Sequence, residues 1–169
     1  MFDFDFVLIL KWNGYILTMK NTIIRKGAKT DMARVLELII ELAEYEKAPQ
    51  EVLISEETLL EEGVGPNKIF DTIVAEMDNE VVGMLLYYPV FSTWKGRSSY
   101  LEDFVVASSH RRKGIGQLLI DALVEEAKSA QAKKIRWQIL DWNTPAIEFY
   151  KRINAMLENS WIDCTLTLS

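Results

Sequence analysis

The stretch His110-Arg111-Arg112-Lys113-Gly114-Ile115-Gly116 carries the residue types that most directly suggest chemistry in this chain. Three cations lead into two spaced glycines. Behind them Ile115, Leu118, Leu119, Ala122, Leu123, Ala127 and Ala130 recur at helical spacing. A helix N-terminus presents unused N–H groups and the positive end of the helix dipole. Glycine lets the backbone come close to a ligand and take a positive φ where one is needed. Together these make a cradle for a pyrophosphate. It is not a Walker A loop, because no Gly-x-x-x-x-Gly-Lys-Ser/Thr run exists. It is not the dinucleotide fingerprint either, since position 119 is leucine and the turn comes late in the chain.

A second group is Glu102 and Asp103, two acids inside an otherwise apolar run. Burying such charges is costly without a purpose for them. Regular strand geometry sends adjacent side chains to opposite faces, so only one of the pair could enter a given pocket unless a bulge intervenes. The single cysteine, Cys164, allows no internal disulfide, and the single histidine, His110, allows no multi-histidine metal site. No metal is expected, and His110 reads as an exposed loop residue.

The remaining pattern supplies the elements that must hold these groups. Residues 23–25 are a short β-prone run. Asp31 predicts the N-cap of a helix reaching Tyr45, with Met32, Val35, Leu36, Ile39, Leu42 and Ala43 in one apolar stripe. Ser55 caps a second helix, Glu56 and Glu57 complement its dipole, and Gly63 is expected to end it. Residues 70–77 and 81–88 read as strands joined by a hairpin at Asp78-Asn79-Glu80. Residues 89–96 read as a loop or frayed strand end, and residues 99–106 as another strand. After the long helix come a strand over 134–140, a helix over 144–153 and an alternating strand over 161–168. The order β-α-α-β-β-β-α-β-α-β predicts an α/β (α+β mixed) fold, a mixed sheet with helices on both faces.

The chain has 169 residues, 19 basic against 25 acidic, for a net charge of -6. That balance argues against nucleic-acid partners, which need a Lys/Arg surplus, and favours a cationic substrate. No apolar run is long enough to span a bilayer. The short apolar stretch over 6–10 follows Asp3 and Asp5, the wrong charge for a signal peptide. A cytoplasmic protein without a membrane partner is expected. Residues 1–18 read as an N-terminal extension outside the domain, or as an added hairpin turning at Asn13-Gly14. Residues 19–169 read as one domain.

Arg111-x-x-Gly114-x-Gly116 resembles the Arg/Gln-x-x-Gly-x-Gly/Ala signature of the GNAT acetyltransferases, and it stands where that signature belongs, between a strand and a long amphipathic helix. Tyr100-Leu101-Glu102-Asp103-Phe104-Val105-Val106 and Asp141-Trp142-Asn143-x-x-Ala146-x-x-Phe149-Tyr150-Lys151 are similar to the spermidine/spermine (diamine) and thialysine N-acetyltransferase branch. Leu42-Ala43-Glu44-Tyr45-Glu46 and Leu59-Leu60-Glu61-Glu62-Gly63 fit its early helices. The resemblance runs over about residues 23–168. It implies a GNAT fold, a central, mostly antiparallel mixed sheet with a V-shaped split between two parallel strands.

What the resemblance implies about function is acetyl transfer from acetyl-CoA to a primary amine of a small molecule: a diamine, a polyamine or a thialysine-like compound. The backbone at Phe104, Val105 and Val106 matches the strand that pairs with the pantetheine arm. Arg111, Arg112, Lys113, Gly114, Ile115, Gly116 and Gln117 match the pyrophosphate loop. Asn143, Lys151 and Arg152 match positions that help hold the cofactor, although a solvated helix face is an equal reading of the two cations. Tyr150 matches the acid that protonates the departing thiolate, and Glu102 the residue that relays the amine proton. A backbone N–H near 104–105 matches the oxyanion donor. Tyr45, Glu46, Trp94, Asp103 and Trp161 match amine-recognition positions.

The chain departs from the branch in three places. Ser92-Thr93-Trp94 stands where the polyamine enzymes carry Asp-Pro-Trp, Ile162 where arginine is frequent, and Asn154 where glycine is usual. The first removes a carboxylate for a second ammonium, and the three together put thialysine, a diamine or another small amine on a par with a polyamine. The branch is dimeric, so a homodimer is expected. Two rival readings stay open: a protein or peptide N-terminal acetyltransferase, and a non-catalytic acyl-CoA-binding module.

Overall fold

A computed structural model describes residues 7–9, 16–19 and 21–168, with backbone alone for the first two segments. The chain divides into two compact units, the first closing at Trp137 and the second beginning at Gln138.

The first unit is built on a sheet whose strands follow one another in sequence order: β1 (Val7–Ile9), β2 (Ile16–Met19), β3 (Thr22–Lys26), β4 (Asp71–Met77), β5 (Glu80–Ser92), β6 (Gly96–Val106) and β7 (Ile135–Arg136). Every neighbouring pair is antiparallel except β6 and β7, which run parallel. In β1 and β2, Val7 pairs with Thr18 and Ile9 with Ile16, and β2 pairs in turn with β3. The Asn13-Gly14 turn lies outside the described residues.

Helices α1 (Met32–Tyr45) and α2 (Glu56–Val64) cover one face of the sheet. Met32, Val35, Leu38, Ile39 and Leu59 meet Val74, Met84, Leu86 and Val105 there in a buried core. Leu38 joins a stripe in which Leu36 and Leu42 are only partly buried. On the other face lies α3 (Ile115–Ser129), burying Ile115, Leu118, Leu119, Ala122, Leu123 and Ala127, while Ala130 is exposed just beyond its end. Tyr87 points to this side, its hydroxyl donating to Glu126 of α3 at 3.1 Å. Mixed strands with helices on both faces are thus the observed fold class.

Several local expectations hold and several are corrected. Asp78 and Asn79 both take positive φ, 53° and 65°, the geometry of a two-residue hairpin turn whose twist matches the strands. Ser55 caps α2, its hydroxyl accepting from the Thr58 N–H at 3.2 Å. Asp31 occupies the N-cap position of α1 without capping it. Its carboxylate instead accepts from the Ala28 N–H at 2.7 Å and from Arg25 at 2.6 and 2.9 Å, because the guanidinium is the stronger donor within reach. Gly63 does not end α2, which runs on to Val64. A Cβ at Gly63 would lie 2.4 Å from the Phe70 ring, so packing is what requires glycine there. Strand β5 continues in full through Pro89 to Ser92, where a loop or a frayed strand end was expected, because β6 stays paired with it down to Ser92 and Gly96.

The second unit holds α4 (Thr144–Arg152), capped by Asn143, whose Oδ1 accepts from the Ala146 N–H at 3.3 Å. The strand expected over 134–140 shrinks to two residues, Ile135 and Arg136. The strand expected over 161–168 does not form, and among the described residues that segment enters no ladder. Alternation makes a segment competent for pairing, but a strand needs a neighbour to take its N–H and C=O groups. Trp161, Ile162, Leu166 and Leu168 stay exposed.

Candidate active site

Strand β6 pairs with β7 only at Ser99 and Tyr100. Beyond that point β7 ends, and residues 101–106 have no ladder on that side among the described residues. This is the V-shaped split, and Phe104, Val105 and Val106 line its β6 edge.

On its other side β6 stays paired with β5, and here its register slips. Tyr88 faces Tyr100 and Tyr87 faces Leu101, but Leu86 faces Asp103. Glu102 is left without a partner, the extra residue of a β-bulge. The slip changes the parity of the strand. Tyr100 and Glu102 share the face of Tyr88, toward α1, by ordinary alternation, and the slip brings Asp103 and Val105 to that face opposite Leu86 and Met84. Consecutive acids that a regular strand would send to opposite faces therefore act on one another.

The electrostatics follow from that. Burial first, then the charges of Glu102 and Glu46, push the Asp103 carboxyl up to about 6. Glu46, just past the end of α1, is itself raised by burial. Three carboxylates thus converge from α1 and β6. Glu102 is exposed, while Asp103 and Glu46 are half-buried. The Tyr88 hydroxyl donates to Glu102 Oε2 at 2.7 Å. Tyr88 also stacks on Tyr100, with ring centroids 5.4 Å apart. Burial first and Glu102 next raise the Tyr88 phenol above its ordinary range.

The loop before α3 holds the cation cluster. Gly114 is the N-cap of α3 with φ 83°, and no side chain caps the helix, so the amides of its first turn are not consumed by a side chain. Arg112, at φ 64°, Lys113 and Gly114 are exposed, as is Gln117, whose side chain donates to Asp121 at 2.8 Å. Ile115 is buried and Gly116 half-buried. Arg111 turns back along the loop. Its Nε donates to the Val106 carbonyl at 3.0 Å, and its guanidinium lies 5.2 Å from the centroid of the Tyr45 ring. Glu41 completes the link, accepting from the Ser108 N–H at 2.8 Å.

Other candidates lie apart from these groups or in the second unit. Trp94 is exposed at the β5–β6 turn, where the Ser92 hydroxyl accepts from the Trp94 and Lys95 N–H groups. In the second unit Tyr150 is buried in α4, edge-on to Phe149 at 5.4 Å. Lys151 and Arg152 are exposed, Arg152 lying 5.9 Å from the Phe149 ring centroid. Asn143 spends its carbonyl oxygen on the helix cap, and Trp161 is exposed on the C-terminal segment. His110 is half-buried, its Nδ1 2.9 Å from Ser109 Oγ, where an exposed loop residue was expected. Sequence reasoning missed Tyr88 and Glu41. Tyr88 looked like one more aromatic in an apolar strand. Glu41 carried a usable signal, since it stands four residues before Tyr45 on the same helix face.

A split parallel pair beside a glycine-opened helix is the architecture of the acetyltransferase (GNAT) family, and the model of that family matches residues 34–155. The chain belongs to that family and is an N-acetyltransferase; GNAT enzymes take their acetyl group from acetyl-CoA. It is 39% identical over 145 residues to the thialysine N-epsilon-acetyltransferase of Sus scrofa, covering 81% of this chain and 85% of that one. It is 29% identical over 140 residues to the human spermidine/spermine N(1)-acetyltransferase-like protein 1, covering 79% of this chain and 20% of that one. An aminoglycoside acetyltransferase from an uncultured soil metagenomic sample, solved with sisomicin, superposes with a TM-score of 0.73 at 21% identity, over 88% of this chain and 97% of that one, which reflects the shared fold. No helix among the described residues is long and apolar enough to cross a membrane.

Proposed function

We propose that this N-acetyltransferase moves the acetyl group of acetyl-CoA to the terminal primary amine of a small diamine, polyamine or thialysine-like compound. The observation that carries the reading is the bulge at Glu102. It turns Glu102 and Asp103 to one face beside Glu46 and so gathers negative charge where an ammonium would dock.

The chain's groups fit the donor. The uncapped first turn of α3, Gly114 at φ 83° and the exposed Arg112 and Lys113 suit a diphosphate. Beyond Tyr100 the β7 side of β6 carries no ladder among the described residues, which suits an amide-bearing arm along 104–106, with the Val106 carbonyl already accepting from Arg111. Bound acetyl-CoA supplies a thioester carbonyl open to a nucleophile.

Asp103 and Glu46 hold the protonated amine by charge, with Tyr45, Trp94 and Trp161 as candidate aromatic contacts. Glu102 takes a proton from the ammonium, directly or through one water, because only the neutral amine has a lone pair to attack. The nitrogen then bonds to the carbonyl carbon while the C=O π electrons move to oxygen, where a backbone N–H near 104–105 stabilises the charge. When the C–S bond breaks, Tyr150 gives its phenolic proton to the leaving thiolate, and the second proton from nitrogen returns to Tyr150 through solvent. The products are an N-acetylamine, free coenzyme A and one proton, which Glu102 passes to solvent. Asn143, Lys151 and Arg152 are candidate cofactor contacts from the second unit.

The working form in this reading is a cytoplasmic homodimer, with residues 19–169 as the catalytic domain and residues 1–18 dispensable. The test is a coenzyme A release assay across spermidine, putrescine, thialysine, ornithine and a peptide with a free N-terminus. Release with one or more of the diamines or diamino acids is expected. Release with the peptide alone, or with nothing, would overturn the proposal.

A further inference from the structure

We propose that Tyr88 is a positioning residue for acetyl transfer, fixing the bulged Glu102 carboxylate so that one oxygen stays turned toward the amine. The proposal rests on the reading of Glu102 as the group that receives the amine proton.

The bulge that brings Asp103 to the face of Glu102 also costs Glu102 an anchor. It has no register partner on β5, it is exposed, and among the described residues no ion pair holds it. A glutamate in that position is free to sample several rotamers. The neighbouring charges make matters worse. Glu102 and Glu46 both act on Asp103, so the Glu102 carboxylate lies beside a like charge that repels it.

Tyr88 opposes both effects. Its ring is held from two sides, by the stack on Tyr100 at 5.4 Å and 27° and by the α1-side core it packs against. A ring so fixed aims its hydroxyl in one direction, and the hydroxyl donates to Glu102 Oε2 at 2.7 Å. A neutral donor on an ionised acceptor is among the stronger hydrogen bonds. With Oε2 occupied, Oε1 is the oxygen left for the amine or an intervening water. The raised phenol keeps its proton, so the donor persists over the range in which the enzyme would work. Neither the strand pattern nor the Glu102-Asp103 pair pointed to this partner, because the contact crosses from β5 to β6, on the diagonal from the Tyr88–Tyr100 pair.

The test uses Tyr88→Phe, Glu102→Gln and the double variant in the full chain, with Tm and the acetyl-CoA Kd measured alongside steady-state kinetics on an accepted amine. Phenylalanine keeps the ring, the stack and the core contact and removes only the donor. Tyr88→Phe is expected to lower kcat roughly tenfold, the size of one lost hydrogen bond that orients a reacting group, with Tm, Kd and the amine KM nearly unchanged. In the Glu102→Gln background the same substitution should have no further effect. A fall in kcat for Glu102→Gln with wild-type kcat for Tyr88→Phe would overturn the positioning role. So would an equal loss from Tyr88→Phe in both backgrounds, because the tyrosine would then act by another route. Wild-type turnover in Glu102→Gln would instead refute the role of Glu102 itself, and the proposal with it.

Discussion

The Arg111 guanidinium lies 5.2 Å from the centroid of the Tyr45 ring. This contact joins the loop that opens α3 to the last residue of α1. The same cation holds the Val106 carbonyl at the end of β6, and Glu41 binds the loop backbone at Ser108. The first residue of the glycine signature is thus turned inward along its own loop. Arg111 remains exposed, as are its neighbours Arg112 and Lys113, which make no such contacts back along the loop among the described residues.

Arg111→Ala should therefore act on both substrates. Removing the cation frees the Val106 carbonyl and the end of the cofactor loop, which should weaken acetyl-CoA binding by roughly tenfold, the scale of one charge-assisted hydrogen bond. It also releases Tyr45, the residue before Glu46, so the amine KM should rise by a few-fold. Calorimetry with acetyl-CoA and KM measurements at saturating donor check the two effects separately. A defect confined to acetyl-CoA would show that the link to Tyr45 does nothing for the amine.

Asp103 sets a pH dependence with a definite sign. Its carboxyl rises from an ordinary 3.8 to about 6, through burial first, then Glu102 and Glu46. An ammonium needs the ionised form, so the amine KM should climb as pH falls through about 6 and level off above it. Stability runs the other way. Because the folded pKa exceeds the unfolded one, the folded state binds the extra proton between these values. The cost of the buried charge is absent below about 4 and fully present above about 6. Asp103→Asn should raise Tm at pH 8, with the gain shrinking toward pH 4, while amine affinity drops at pH 8. An unchanged Tm at pH 8 would contradict the strained carboxylate.

Much of this arrangement is legible in the amino-acid sequence, and the parts that are not share a physical cause. The long stripe from Ile115 to Ala127 and the Asp78-Asn79 turn are local signals, and both elements form where expected. The pyrophosphate cradle is also local, a run of residues whose backbone and charge act together. The pairing of Glu102 with Asp103 on one face is not local. It depends on Leu86 taking Asp103 rather than Glu102 as its partner, a choice made between two strands. Tyr88 is hidden for the same reason. Gly63 shows the opposite error, where a local rule predicted a helix end and a ring from Phe70 was the real constraint. The short β7 and the unpaired C-terminal segment show that alternation reports what a segment can do, not whether a neighbour is there to do it with.

Tyr150→Phe should separate chemistry from binding. The side chain is buried beside Phe149, so the ring remains and the fold should hold. Only the phenolic proton is lost. Loss of a general acid typically costs about 10²–10⁴-fold in turnover. The acetyl-CoA Kd should stay within a factor of about two, since no transition-state charge is involved in ground-state binding. Single-turnover kinetics are the right measure, because slow product release would mask a change in the chemical step. Wild-type single-turnover rates would remove Tyr150 from the mechanism.

The C-terminal segment should be ordered by a second copy of the chain. Trp161, Ile162, Leu166 and Leu168 are 70, 89, 85 and 86% exposed, an apolar set that folding in water normally covers. Ile162, Leu166 and Leu168 alternate along one face with Trp161 on the other, a pattern that suits a strand, and a segment without a ladder is competent to pair with another chain. A homodimer joined through residues 161–168 would cover these side chains and give Trp161 a place beside an amine site. Light scattering at micromolar concentration should report twice 19.5 kDa. Deleting residues 161–169 should return a monomer. Mixing Tyr150→Phe with Glu46→Ala should recover activity if each amine site draws groups from both copies, because one mixed site would then carry both intact residues. A fully active monomer would refute the dimer. A dimer that survives the deletion would assign the interface to another surface, and a dimer without recovery on mixing would leave each site to its own chain.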